Sequence, residues 1–388
     1  MLSPEYLAGV SDDFVEIYAQ VERDITADVA RRIVKTNYMT ATAMWQIERG
    51  RQIGMFQVDV AETLANATGF SHKEIKRLME DAGTKALTAD DRIYARVGLD
   101  KVIDFTKSDA MKAILLQGIN GTRQVMKNFT NTTAKTARKA LENSLDRAYL
   151  QVMSGAFSRE QAIKNAVTDL AKQGITKIAY PSGTTVSVEA GIRRAVTTGI
   201  NQTCSKLQIE RASELGSDLV ETSSHAGARP THVVWQGQVF SLSGQHPRYP
   251  DFYASTEYGS GGGLCGWNCY HNFFPYLEGI SERSFDEDPA ELLGKTNDEV
   301  YEESQKQRYY ERQVREAKKR VAAYQGASKG TVSAEEKAFF DKKASEAKKM
   351  MRDRQKKLRD FCKSTNRMLD YSKTYTAGYN KPYSVGKP

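Results

Sequence analysis

Ser223-Ser224-His225-Ala226-Gly227-Ala228-Arg229-Pro230-Thr231-His232 and Cys265-Gly266-Trp267-Asn268-Cys269-Tyr270-His271 fall in one stretch, Asp218–Gly279, where helical periodicity fails. Around them the apolar residues group by twos and threes rather than at three- and four-residue steps. Leu219-Val220-Glu221-Thr222 reads as a strand, and Asn272–Leu277, an aromatic apolar run, as another. Val233-Val234-Trp235 and Val239-Phe240-Ser241, joined by Gln236-Gly237-Gln238, read as a tight β-hairpin with glycine in the turn. Glycines at 259, 261, 262 and 263 predict a mobile or sharply bent loop. Upstream, Thr176–Tyr180 reads as a short strand and Pro181-Ser182-Gly183 as a turn.

Outside this stretch, the strand and turn at Thr176–Gly183 and the C-terminal tail, the spacing is helical. Leu7, Val10, Phe14, Ile17, Val21, Ile25, Val29 and Ile33 place one long amphipathic helix over Pro4–Lys35. Shorter helices are expected at Thr40–Arg49, Val58–Ala67, His72–Ala82 and Asp90–Val97, with Ser71 and Glu74 as a capping box. Ala110–Asn128 and Thr133–Met153 follow. Ser158 and Gln161 open a helix at Glu160–Lys172, which Gly174 ends. Val186–Leu215 carries Ile192, Val196, Ile200, Cys204, Leu207 and Ala212 on one side. Asp298–Tyr324 and Ser333–Asn366, joined by Gly326–Gly330, read as an antiparallel helical hairpin. The fold class is therefore mainly α with a small α+β domain. The expected divisions are a helical region 1–174, a loop-rich β-containing domain 175–282, a long charged hairpin 283–370 and a flexible tail 371–388.

Bulk properties agree. With 388 residues there is room for two or three domains. Mean hydropathy of −0.57 is polar for a single globule and suits long solvated helices. No run approaches the roughly 20 apolar residues of a membrane span. Met1–Val10 has Glu5 and no basic apolar leader, so no signal peptide is expected and synthesis should be cytoplasmic. Four cysteines make no disulfide framework. Cys204 and Cys362 read as small buried apolar side chains. The net charge of +8 is local: residues 301–360 hold eighteen Lys and Arg against ten Asp and Glu, an excess equal to that of the whole chain. Attraction to nucleic acid would fall there, on Lys318, Lys319, Arg320, Lys348, Lys349, Lys356 and Lys357. The alternative is a solvated helix surface.

Four of the five histidines, two of the four cysteines and two of the three tryptophans lie between 225 and 271. Three readings compete. His225 or His232 with Cys265, Cys269 and His271 could supply the thiolate and imidazole ligands of a structural zinc ion, though the spacing is not that of a zinc finger. Cys269 with a histidine could be a thiol hydrolase, or the histidines a metal-dependent nuclease. Against both, no paired acids are near, since Asp251 and Glu257 stand alone, and no oxyanion loop is evident. The preferred reading is structural. Arg229 would brace the loop through backbone carbonyls, and Trp235 and Trp267 would fill the core, with Gly237 in the hairpin turn and Asn268 part of the same structural motif.

The 223–232 segment, followed by Trp235-Gln236-Gly237-Gln238-Val239-Phe240-Ser241 and by Gly263–His271, resembles the phage minor capsid protein 2 family. That family looks related to the Mu F-like head morphogenesis proteins. Ile178-Ala179-Tyr180-Pro181-Ser182-Gly183, leading to Val188-Glu189 and Arg193-Arg194, is similar to the segment preceding the motif. The specific motifs cover about Thr176 to Gly279. The resemblance implies a low-copy structural protein of the virion, made in the host cytoplasm. It implies a role in head assembly at the portal vertex, and as partners the portal protein, the major capsid protein or packaged DNA. It carries over no catalytic residue.

Overall fold

The computed structural model describes residues 2–36, 42–99, 107–174, 178–180, 184–285, 287–370 and 373–374. The helices are α1 (Pro4–Gly9), α2 (Asp12–Lys35), α3 (Thr42–Tyr94), α4 (Asp109–Met153), α5 (Arg159–Gln173), α6 (Val188–Glu214), the short α7 (Pro230–Val233) and α8 (Phe252–Thr256), then α9 (Asn297–Gly330) and α10 (Ala334–Ser364). β1 (Ile178–Ala179) pairs antiparallel with β2 (Thr185–Val186). β4 (Val239–Ser241), β3 (Leu219–Thr222) and β5 (Phe273–Pro275) form an antiparallel sheet with β3 in the middle. The chain is mainly α with a small α+β part. The expected turn Pro181–Gly183, part of the expected strand at Thr176–Tyr180, Thr40 and Ala41 of the expected helix, and all of the tail but Lys373 and Thr374 lie outside the described residues.

Helices run longer than the residue pattern implies. No proline occurs between Pro4 and Pro181, so nothing removes a backbone donor from the ladder. Polar residues lower helix propensity by only fractions of a kcal/mol each. The four short helices expected up to Val97 are therefore one, α3, extended by a 3₁₀ turn at Ala95–Val97. Ser71, expected as a cap, is buried inside it. α4 likewise absorbs both expected helices. Thr132 and Thr136 within it donate back to the carbonyls of Asn128 (2.8 Å) and Thr132 (3.0 Å), which satisfies the hydroxyls without leaving the helix. The opposite correction applies to Pro4–Lys35. Gly9 weakens the helix there, and Ser11, Asp12 and Asp13 are residues that favour a helix start, so α1 and α2 are separate. Ser3 caps α1 by accepting from the Tyr6 N–H at 3.2 Å, and Ser158 caps α5 from the Gln161 N–H at 3.2 Å.

Two compact units interleave along the chain. One gathers Met1–Asp12, Phe70–Met126 and Ile192–Lys306; the other gathers Asp13–Gly69, Lys127–Gly191 and Gln307–Pro388. In the first, Ile192, Val196, Ile200, Cys204, Leu207 and Ala212 of α6 are all buried. α6 meets α4 by two reciprocal fits. A Cβ on Gly118 would lie 2.1 Å from the Thr203 hydroxyl, and one on Gly199 would lie 2.2 Å from the Thr122 hydroxyl. The small sheet has its own core of Val220, Trp235, Phe240, Phe252, Leu264 and Phe273. The expected hairpin around Gly237 is overturned. Pro230 suits the first turn of a helix, so Pro230–Val233 coils into α7 and β4 pairs with β3 instead. Gly237 has φ +66° and a Cβ there would meet the Phe285 carbonyl at 3.1 Å. The glycine-rich loop is sharply bent and bonded to itself, with Leu264 N–H to Thr256 O and Gly259 N–H to Leu264 O both 3.0 Å.

In the second unit α2 is buried over most of its length. Gly326–Gly330, expected as a loop, is the helical end of α9. A Cβ on Gly326 would lie 2.1 Å from Ala27 O and one on Gly330 2.6 Å from Arg31 O. These glycines serve close helix approach, and the turn falls at Thr331–Ser333. Ser333 caps α10 by accepting from the Glu336 N–H at 3.3 Å. Ser328 donates to Asp341 (2.6 Å), Arg354 donates to Gln313 O (2.7 Å), and the rings of Tyr310 and Phe361 lie 5.3 Å apart. As position rises on α9 it falls on α10, so the two helices are antiparallel. Cys362 packs with Val314 and Leu358.

Candidate metal centre

The site lies beside the three-stranded sheet, within the first unit. α7 carries His232, and the loop leading into β5 carries Cys269 and His271. All three side chains are buried, with Cys269 only 1% exposed. His232 Nδ1 lies 3.3 Å from His271 Nδ1. Cys269 Sγ lies 3.9 Å from the first nitrogen and 3.7 Å from the second. Two imidazole nitrogens and one sulfur thus converge on one point.

The far side of each ring decides its tautomer. His232 Nε2 lies 2.7 Å from Gly262 O, which can only accept, so Nε2 donates. His271 Nε2 lies 3.0 Å from Gln236 Oε1. That oxygen also accepts from the His225 backbone N–H at 3.3 Å, so here too Nε2 donates. Both Nδ1 atoms therefore present lone pairs to each other and to the thiol.

The loop is held in place by α6. Asn201 donates its amide to Cys269 O (3.1 Å) and His271 O (2.9 Å), and its oxygen accepts from Asn272 at 3.0 Å. Thr198 accepts from the Asn268 N–H at 3.1 Å. Cys265 and Asn268 adopt φ +58° and +51°, in the left-handed region that costs non-glycine residues. Close approach sharpens the bend further: a Cβ on Gly266 would lie 2.3 Å from Ser260 O.

Burial sets the charge states. It pushes His232 down to about 4 and His271 below its ordinary range, with neighbouring positive groups adding to the effect. It pushes the Cys269 thiol up to about 11 and Cys265 well above its usual value. Without a cation the cluster holds neutral imidazoles and a protonated thiol, which is a weak nucleophile.

Of the five residues that the sequence offered as ligands, His232, Cys269 and His271 come together. His225 stacks on the His271 ring at 4.3 Å, with its Nδ1 against Ala226 O. Cys265 turns its sulfur toward Asn201 Oδ1 at 3.7 Å. Arg229 donates to Trp267 O at 2.6 Å, tying α7 to the loop. Trp235 is buried against His232 and His271. Trp267, expected in the core, is 58% exposed, with the Arg194 guanidinium 5.7 Å from its ring centre. Its neighbours Cys265 and Cys269 point inward, and the left-handed turn at Asn268 swings the indole out. Sequence reasoning missed Asn201, Gln236 and Thr198. Asn201 and Thr198 were visible as polar residues beside the apolar stripe of α6.

The basic residues divide. Lys319 pairs with Glu22 (2.6 Å) and Glu189 (3.6 Å), and Lys318 donates to Thr374 O. Burial lowers Lys318 to about 8, helped by Arg23 and Arg315. Arg320 lies 3.7 Å from Met350 Sδ. On α10, Lys349, Lys356 and Lys357 are exposed and Lys348 is half-buried.

The sequence matches the family described as phage minor capsid protein 2 over residues 2–363. The chain belongs to the phage minor capsid protein 2 family. Members are structural components of the phage virion, and the earlier resemblance, drawn from about a hundred residues, extends over nearly the whole chain. A structural protein of Lactococcus phage LL-H is 29% identical over 203 residues, which is 50% of this chain and 53% of that protein. A structural protein of Lactococcus phage mv4 is 41% identical over 81 residues, 20% of this chain and 59% of that protein. The chain spans between about half and three fifths of these curated relatives. No solved structure matches. Among the described residues of this minor capsid protein, no helix is long and apolar enough to cross a membrane.

Proposed function

We propose that this chain is a non-catalytic minor head protein that acts in head assembly at the portal vertex, contacting the portal protein or the major capsid protein. The observation that carries the reading is the family match from residue 2 to residue 363, which takes in the helices as well as the motif. The motif itself supports a structural role. Its Cys269 thiol is buried and, without a cation, protonated, His232 and His271 are neutral, and Asn201 and Arg229 are spent on backbone carbonyls. These facts weigh against a thiol hydrolase. In this reading 175–282 is the folded centre, while 1–174, 283–370 and 371–388 supply the helices and tail. α2 is buried over most of its length and offers little contact surface. A phage lacking the gene should yield few infectious, DNA-filled heads. Normal infectious heads from that phage would refute the role.

Contact with packaged DNA is a second reading, favoured by the exposed Lys349, Lys356 and Lys357 on one helix. Phosphate contacts release counterions, so binding should weaken steeply with salt. The full chain should retain duplex DNA at low salt, and Lys→Glu at those three positions should abolish retention. Equal retention by the variant would assign α10 to protein contacts.

A further inference from the structure

We propose that His232, Cys269 and His271 bind one zinc ion. The three donor atoms already stand at the separations that such an ion imposes. With Zn–N near 2.0–2.1 Å and Zn–S near 2.3 Å, tetrahedral coordination sets N···N at about 3.3 Å and N···S at about 3.6 Å. The observed separations are 3.3 Å between the nitrogens and 3.7 and 3.9 Å from the sulfur.

The hydrogen bonds give an independent reason. Gly262 O and Gln236 Oε1 hold the two Nε2 protons outward, so the two Nδ1 lone pairs face each other with no proton between them. The single thiol proton of Cys269 can serve only one of them. Two buried acceptors in contact repel, and a cation removes the repulsion. An oxygen behind each ligating imidazole is also the usual support for a metal-bound histidine. Imidazole with thiolate suits zinc among the abundant divalent ions. On binding, the Cys269 thiol loses its proton to solvent, the sulfur and two nitrogens each donate a pair to the metal, and water completes the shell. The ion would staple α7 to the entry of β5 and close the loop between residues 232 and 269. This site stands apart from the head-assembly role, and either can fail without the other.

The test uses the full-length chain, equilibrated with zinc and freed of loosely held ions. Elemental analysis should find about one zinc per chain. Cys269→Ser and His271→Gln should lower the content at least about tenfold. Cys265→Ser, outside the ligand set, should keep it. Cobalt(II) loaded in place of zinc should give a thiolate-to-cobalt charge-transfer band in the unsubstituted chain and in Cys265→Ser, and none in Cys269→Ser. The cobalt band of the unsubstituted chain reads the coordination directly, whatever the variants do to folding. An unsubstituted chain with neither zinc nor the band overturns the proposal. So does full zinc content in a helical Cys269→Ser chain, or loss of the band in Cys265→Ser.

Discussion

His232 and His271 face each other Nδ1 to Nδ1 at 3.3 Å, and each ring is turned that way by an oxygen on its other nitrogen. For His271 the oxygen is the Gln236 side chain. Gln236→Leu keeps the three donor atoms but frees the ring, so zinc affinity should fall roughly 10–100-fold by competition with a chromophoric chelator. Unchanged affinity would mean that the ring is oriented by packing against His225 and Trp235 alone.

Asn201 is the support on the backbone side. Its amide serves the carbonyls of Cys269 and His271. Asn201→Leu leaves buried acceptors without partners and should cost about 1–3 kcal/mol in chemical denaturation. Asn201→Asp, which removes the donor but keeps the size, should be no better. A neutral result for both would show that these carbonyls are satisfied in another way.

Two glycines on α4, three residues apart, should respond with opposite sign. A Cβ at Gly118 meets the Thr203 side chain at 2.1–2.9 Å, whereas one at Gly121 meets nothing within 4 Å. Gly118→Val should destabilise by about 1–3 kcal/mol through overpacking. Gly121→Ala should stabilise by about 0.5–1 kcal/mol, because it only removes backbone freedom from the unfolded chain. Thermal melts of the two variants give the comparison. A shift of the same sign in both would contradict the helix contact.

Lys319 lies buried between Glu22 and Glu189 in the second unit. Burial opposes both charges of the Lys319–Glu189 pair, but Lys319 and Arg315 outweigh it and hold Glu189 below 4.5. Lys319→Met removes the ammonium that Glu22 and Glu189 share, with Arg315 still 3.7 Å from Glu189, and should cost up to about 3–5 kcal/mol. A carboxylate with a depressed folded pKa contributes stability above its unfolded value and loses it as pH falls through the folded one. Stability should therefore drop on acidification below about 4.5. Denaturant melts of Glu189→Gln should show a smaller drop, and an equal drop would assign acid sensitivity to other groups.

Much of this was legible in the residues. The stripe of α6, the cap at Ser158, β3, β5 and the antiparallel α9–α10 pair follow from local spacing and capping chemistry. The errors share a cause. Gly326 and Gly330 look like a loop because glycine's local meaning is flexibility, but here its missing side chain admits another helix. Val233-Val234-Trp235 looks like a strand until Pro230 starts a helical turn. Trp267 looks like core because indoles usually are, and a left-handed residue beside it turns it outward. The crowding of His232, Cys269 and His271 marked the site, whereas Asn201 and Gln236 act through contacts far apart in sequence, which no spacing displays.

The proposed role requires this minor capsid protein to be built into the phage head. Quantitative mass spectrometry of gradient-purified, DNA-filled virions of its phage tests that most directly. The chain should be present at a fixed ratio far below that of the major capsid protein, and should stay with heads from which tails have been removed. Its absence from such heads, with the protein abundant in the lysate, would rule that role out.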